Sequence, residues 1–248
     1  MMRFIENPNL PKEKVSCVIC GELCDELNEF LDSKGIERLV IEPNMLIDNA
    51  VRFHADMAAL HLCGNRLIAG KNQKSLIKIL SERGFDVSET QDEIAGEYPK
   101  DIALNFTVVG DRIIGNFRYA DKSLTDSIGE LRTVNVRQGY CKCSCLVVNN
   151  NAIITDDKSI YDKTAENGID CLLISKGDIF LDGHEYGFIG GASGKISKDT
   201  VLFFGDVTKH RDYKKIAGFI DKHSCKIEYL DFPLTDFGGI IPITEKAP

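Results

Sequence analysis

The feature that most constrains this chain is a recurring order of local signals. A tight turn between two short apolar runs is followed by an amphipathic helix, a cap and one further apolar run. Five stretches carry a helical apolar face. Leu23, Leu27, Phe30 and Leu31 fall at i, i+4, i+7 and i+8, which predicts a helix over about 22–34. Leu76, Ile79 and Leu80 mark a second at 72–83, Leu124 and Ile128 a third at 122–130, and a fourth covers 158–167. Tyr213, Ile216, Phe219 and Ile220 mark a fifth at 211–223. Three helices close alike, in Ser33-Lys34-Gly35-Ile36, Glu82-Arg83-Gly84-Phe85 and Glu166-Asn167-Gly168-Ile169. Glycine accepts the left-handed cap conformation, and the apolar residue behind it folds back on the helix. Each cap feeds an apolar run, at 39–41, 85–87 or 171–174, that reads as a strand.

Hairpins precede the helices. Segments 58–62 and 66–68 flank Cys63-Gly64-Asn65, 106–109 and 112–114 flank Gly110-Asp111, and 143–148 and 152–154 flank Asn149-Asn150-Asn151. Asx and Gly supply the backbone freedom that tight hairpins need. A further hairpin is expected from 179–181 and 186–189 around Asp182-Gly183, with 201–204 as one more strand. The unit is therefore hairpin, helix, strand, repeated at a roughly constant spacing of the kind that marks modular arrays. The first unit is short of a strand, since 15–19 runs straight into its helix, and the chain closes on the orphan apolar segment Gly239-Ile240-Ile241-Pro242-Ile243. Pairing the two completes the unit and removes an exposed sheet edge. The expected fold is a closed five-bladed α/β propeller of ββαβ repeats, forming one domain over residues 1–248.

Composition narrows the function classes. With 30 Lys+Arg against 38 Asp+Glu, the net charge of −8 offers no basic excess to release phosphate counterions, so a nucleic-acid partner is not expected. No apolar run approaches a membrane span, and the first residues lack the apolar core of a secretory signal, so the expected location is the cytoplasm. In that compartment the nine cysteines are expected to be free thiols rather than a disulfide framework.

The repeat order resembles the pentein fold of the guanidino-group-modifying enzymes, which include arginine and agmatine deiminases, dimethylarginine hydrolases and amidinotransferases. A non-enzymatic ribosome anti-association factor shares that fold. The segment from Tyr98-Pro99-Lys100-Asp101 to Gly110-Asp111-Arg112-Ile113-Ile114 resembles the early part of the enzymes, and Leu234-Thr235-Asp236-Phe237-Gly238-Gly239-Ile240 resembles their closing part. More closely, the chain resembles a bacterial family of unknown function with that fold. Gln138-Gly139-Tyr140-Cys141-Lys142-Cys143-Ser144 and Tyr186-Gly187-Phe188-Ile189-Gly190-Gly191-Ala192-Ser193-Gly194 carry this second likeness. The resemblance implies a catalytic Cys just after the closing glycine pair, where this chain has Ile240-Ile241-Pro242. Neither Ile nor Pro can act as a nucleophile, so the usual covalent route is closed at that position.

Other residues then become the candidates. His54 and Asp56, read on a strand, share a face and could act as base and orienter or hold a cation. Asn105, Asn116, Ser193 and Asp236 are candidates for the same ligand-binding recess. Cys143 is the candidate displaced nucleophile, with Lys142 beside it, and Cys141, Cys143 and Cys145 would share one face if the run were a strand. Strand spacing separates those thiols too far for one zinc. Cys17, Cys20 and Cys24 lack the second ligand pair of a zinc site, so neither a metal nor another cofactor is expected. The 187–194 stretch fails as a phosphate-binding loop, because Lys195 is followed by Ile196 and no helix starts there. The expected function is binding of a small cationic or guanidino-type ligand in an axial pocket. The alternatives are an amidinohydrolase or iminohydrolase using Cys143 and a non-enzymatic interaction protein.

Overall fold

The computed structural model describes residues 2–247. The chain begins with β1 (Met2–Phe4), β2 (Val15–Cys20), helix α1 (Asp25–Ser33) and β3 (Glu37–Val40). A one-turn helix, α2 (Ala55–Ala58), leads into β4 (Ala59–Cys63), β5 (Arg66–Ala69), α3 (Lys74–Glu82) and β6 (Asp86–Glu89). Next come β7 (Thr107–Val109), β8 (Arg112–Gly115), α4 (Lys122–Ser127) and β9 (Arg132–Asn135). They are followed by β10 (Cys145–Asn149), β11 (Ala152–Thr155), α5 (Lys158–Glu166) and β12 (Asp170–Leu173). The last repeat is β13 (Ser193–Ser197), β14 (Thr200–Phe203), α6 (Tyr213–Lys222) and β15 (Lys226–Tyr229), and β16 (Ile240–Lys246) closes the chain.

These strands form five small sheets. In each of the last four, the first strand pairs antiparallel with the second, and the second pairs parallel with the third across a helix. The remaining sheet draws on both ends of the chain, in the order β1-β16-β2-β3. Ile241 lies opposite Ile19, so β16 takes the place of the missing first strand. The first strands touch one another from sheet to sheet: β16 meets β13 and β4, β13 meets β10, and β10 meets β7. They form the inner ring of a five-bladed α/β propeller, with the helices outside it.

The helices form where the apolar spacing places them, and each turns its buried stripe inward. Leu27 and Leu31 of α1 are fully buried, as are Leu80 of α3 and Ile160 of α5. Burying such a side chain contributes about 2 kcal/mol. Ile19, Leu39 and Ile241 pack with Leu67, Leu76 and Leu80, so one apolar cluster joins the first two blades. No helix among the described residues is long and apolar enough to cross a membrane.

Three local expectations are corrected. Segments 179–181 and 186–189 do not form a hairpin; Phe180 makes one parallel bridge, to Thr235, and the blade is built instead from β13 and β14. Ile179, Leu181 and Ile189 are buried in loops, so their apolar character serves packing rather than pairing. His54 and Asp56 do not lie on a strand: His54 is extended and caps α2, whose four residues are all buried. Cys141 and Cys143 lie in a turn, and only Cys145 belongs to a strand. Among the described residues, no group of His, Cys, Asp and Glu is placed to hold a metal ion.

The first sheet is fastened by one buried carboxylate. Glu245, on β16, accepts from Arg3 Nε at 2.7 Å, from Glu13 N at 2.8 Å and from Lys12 N. A glutamine there keeps the shape but has one acceptor oxygen for these donors and no charge. Glu245→Gln is expected to cost about 2 kcal/mol in chemical denaturation, in keeping with charge-assisted hydrogen bonds. An unchanged denaturation midpoint would show that the N-terminal loop is not held this way.

Candidate functional site

The segment leading into each inner strand ends at one shared cavity of about 850 Å³. His54 reaches it from ahead of β4, Tyr98 and Asp101 from ahead of β7, and Tyr140 and Cys143 from ahead of β10. Leu181, Glu185, Tyr186 and Phe188 come from the loop before β13, and Asp236 from the loop before β16. The five repeats thus supply five neighbouring walls.

The floor is a buried polar cluster. Asp236 is 3% exposed; its Oδ2 accepts from Phe188 N at 2.8 Å and its Oδ1 from Gly238 N at 2.9 Å. His54 Nδ1 stands 3.7 Å from Asp236 Oδ1. Two glycines permit this closeness. A β-carbon on Gly191 would lie 1.9 Å from Asp236 Oδ1, and one on Gly238, at φ +77°, would lie 2.3 Å from His54 Cβ. The glycine pair in the closing segment therefore brings the Asp236 loop onto His54.

Asn105 supports the cluster from beneath. It is fully buried, and its Oδ1 accepts from Lys142 N at 2.7 Å and Cys143 N at 3.3 Å. Its Nδ2 donates to Asp56 O at 3.1 Å and lies 3.1 Å from Cys143 Sγ. One side chain thereby fixes both the start of α2 and the turn that carries Cys143. Among the described residues, neither carboxyl oxygen of Asp56 has a nitrogen or oxygen hydrogen-bond donor. Burial pushes its carboxyl up to about 6, against the pull of His54 and Lys142 and with a further push from Asp236. Burial also raises the Cys143 thiol well above the usual range, and the nearby Asp56 and Asp236 add to the rise. The resting thiol is therefore neutral, and a cation entering the cavity would favour its thiolate.

The upper walls are acidic and aromatic. Tyr140 Oη donates to Asp101 Oδ2 at 2.7 Å, and the Tyr140 ring packs 5.3 Å from that of Tyr98 and 6.1 Å from that of Phe188. Burial and the Asp101 hydrogen bond raise the Tyr140 phenol, and burial raises the Asp101 carboxyl. Asp48, Glu97 and Glu185 complete the acidic lining.

Of the residues singled out from sequence, His54, Cys143 and Asp236 line this cavity, and Asp56 and Asn105 lie directly behind them. Asn116 and Ser193 do not join them. Asn116 Nδ2 donates to Arg137 O away from the cavity, and Ser193 Oγ donates to Ile189 O in a separate small void behind Lys142. Both hydroxyl and amide are used to satisfy backbone carbonyls. The sequence reading missed Asp48, Glu97, Glu185 and the Tyr98–Tyr140–Phe188 ring group, all from irregular segments. Their one signal was acidic and aromatic residues gathered ahead of the first strand of each repeat.

A family model described as "Family of unknown function (DUF6873)" matches residues 18–241. No curated protein matches the chain. Among solved structures, the chain is similar to an amidinotransferase of the saxitoxin biosynthetic pathway from Microseira wollei, with a TM-score of 0.59 and 12% identity over 98% of both chains. An inosamine-phosphate amidinotransferase from Streptomyces griseus gives a TM-score of 0.59 at 10% identity, over 99% of this chain and 98% of that one. A substituted agmatine deiminase of C. jejuni with substrate bound gives 0.58 at 11% identity, over 98% and 96%. These likenesses establish the fold as the pentein propeller shared with the guanidino-modifying enzymes.

Proposed function

The chain belongs to DUF6873, a family of unknown function, and from that premise we propose that it binds a small cation of amidinium or guanidinium type in the axial cavity. The observation that carries this reading is the lining itself. Asp48, Glu97, Asp101, Glu185 and Asp236 face the cavity together with the rings of Tyr98, Tyr140, Tyr186 and Phe188, and no described Lys or Arg lines it. Carboxylates accept paired N–H bonds from a planar cation, and aromatic faces attract its charge. With no described Lys or Arg in the lining to pair a carboxylate, and with its histidines set beside Asp236 and Asp48, the ligand carries no carboxylate of its own. Agmatine is therefore favoured over arginine.

A thermal-shift series tests this reading. Agmatine or another carboxylate-free guanidinium at 100 times its Kd is expected to stabilise the protein by about 2.7 kcal/mol, with arginine far weaker. Absence of a shift with every amidinium and guanidinium in the series would sink the proposal.

A second reading rests on Cys143, which lines the same cavity as His54 and Asp236. The closing glycine pair is followed by Ile240 and Ile241, so the thiol of the fourth blade would replace the missing nucleophile. The Cys143 proton would pass to His54 as sulfur attacks the amidinium carbon, the amine would leave carrying that proton, and water would then release the bound carbon and return a proton to the thiol. Amine or ammonia release that vanishes in Cys143→Ser, with the thermal shift retained, would support turnover. A shift without release in the parent protein would leave a binding protein.

A further inference from the structure

The axial cavity is far larger than a cationic head group, and its floor and mouth differ in chemistry. A bare guanidinium fills a small part of about 850 Å³, a size at which cavities enclose drug-sized molecules. The floor, at His54 and Asp236, is polar and buried. The same cavity is walled by the buried Ile47, Val51 and Leu181, and at its mouth Met45, Leu46 and Tyr98 stand 67%, 51% and 50% exposed.

These three apolar side chains are held in water by an ordered backbone. Asn44 N donates to Arg52 O at 2.9 Å, which closes the base of the loop that carries Met45 and Leu46. Asn44 Nδ2 donates to Ile94 O at 2.7 Å, and its Oδ1 accepts from Leu46 N at 3.1 Å. Leu46 O in turn accepts from Gly96 N at 2.8 Å, so the loops bearing Leu46 and Tyr98 are tied to each other. A preformed apolar lip results. Large apolar side chains fixed in solvent beside a concave site mark a surface that a bound molecule covers. The nearby Asp48, Glu97 and Glu185 are exposed and keep their hydration, so they attract a cation inward without having to be buried by it.

Resting on the cation-binding reading above, we propose that the ligand is an amphipathic cation. Its guanidinium or amidinium head reaches the floor, and an alkyl or aryl body lies against Ile47, Val51 and Leu181 and covers the lip. Burial of that body adds affinity through the hydrophobic effect, and the fixed lip spares the cost of ordering the loops on binding.

The test is a calorimetric titration of the full chain with methyl-, pentyl- and octylguanidinium and with agmatine, in which an ammonium replaces the terminal methyl group of the pentyl chain. Pentylguanidinium is expected to bind about a hundredfold more tightly than methylguanidinium, roughly threefold per added methylene, and about tenfold more tightly than agmatine. Met45→Ser combined with Leu46→Ser, both on the exposed lip, is expected to weaken octylguanidinium about tenfold at one-to-one stoichiometry. An affinity that does not rise with chain length would overturn the amphipathic class while leaving the cation reading in place. So would agmatine binding as tightly as pentylguanidinium, or an octylguanidinium affinity untouched by the double variant. Binding by none of the four would remove both.

Discussion

Replacing Asp236 by alanine is expected to lower stability by about 4 kcal/mol and to erase any ligand-induced rise in Tm. The carboxylate accepts from Phe188 N and Gly238 N, and both donors lie in tightly closed loops. Alanine strands both N–H groups at a cost of about 1–3 kcal/mol each, and it leaves a void against Gly187 and Gly191. For a chain of this size the loss corresponds to a fall in Tm of roughly 8–16 °C. Asp236→Asn keeps the shape but turns an amide donor toward one of the two N–H groups, so an intermediate loss is expected. A normal Tm in Asp236→Ala would show that the floor of the cavity is not held by this side chain.

Asp56→Asn is expected to act in the opposite direction. Because the folded chain holds the Asp56 proton up to about 6, against an ordinary value of 3.8, it binds more protons than the unfolded chain between those limits. Stability therefore falls as pH rises through that window, and above it the full penalty of about 3 kcal/mol is present. An asparagine carries no such penalty. The variant is expected to melt higher than the parent near pH 8 and level with it near pH 4, while losing affinity for a cation, a trade of stability against function common at active sites. Equal Tm differences at both pH values would refute the buried, strained carboxylate.

Such strain was only partly legible in the sequence. The five long helices could be read because apolar spacing and glycine caps are local signals, and the ring closure because β2 and β16 were each left without a partner. The one-turn helix α2 could not be read. Its four residues are buried on every side, so no polar face distinguishes them from a strand. The turn at Cys141–Ser144 was hidden for a related reason: beside its own backbone bonds, it is held by the distant amide of Asn105, which no local signal announces. His54, Asp56, Asn105, Cys143 and Asp236 were recognisable as polar or nucleophilic groups ahead of inner strands. The acidic and aromatic walls were not, because loop paths such as 45–51 and 96–101 are set by what they pack on. Asn116 has the same side chain as Asn105 and differs in where its loop leads, whereas Ser193 begins β13 and gives its hydroxyl to Ile189 O.

The pairing of Ile241 with Ile19 also bears on the order in which the molecule assembles. The four later blades join segments that are near neighbours along the chain, whereas the first must bring together its two far ends. Closing so long a loop is entropically slow, and non-local pairing of this kind sets the pace of folding. Asp236 rides on the segment that docks in that step. A growing chain can thus complete most of its ring on the ribosome, yet the cavity floor forms only after β16 has emerged and found β2.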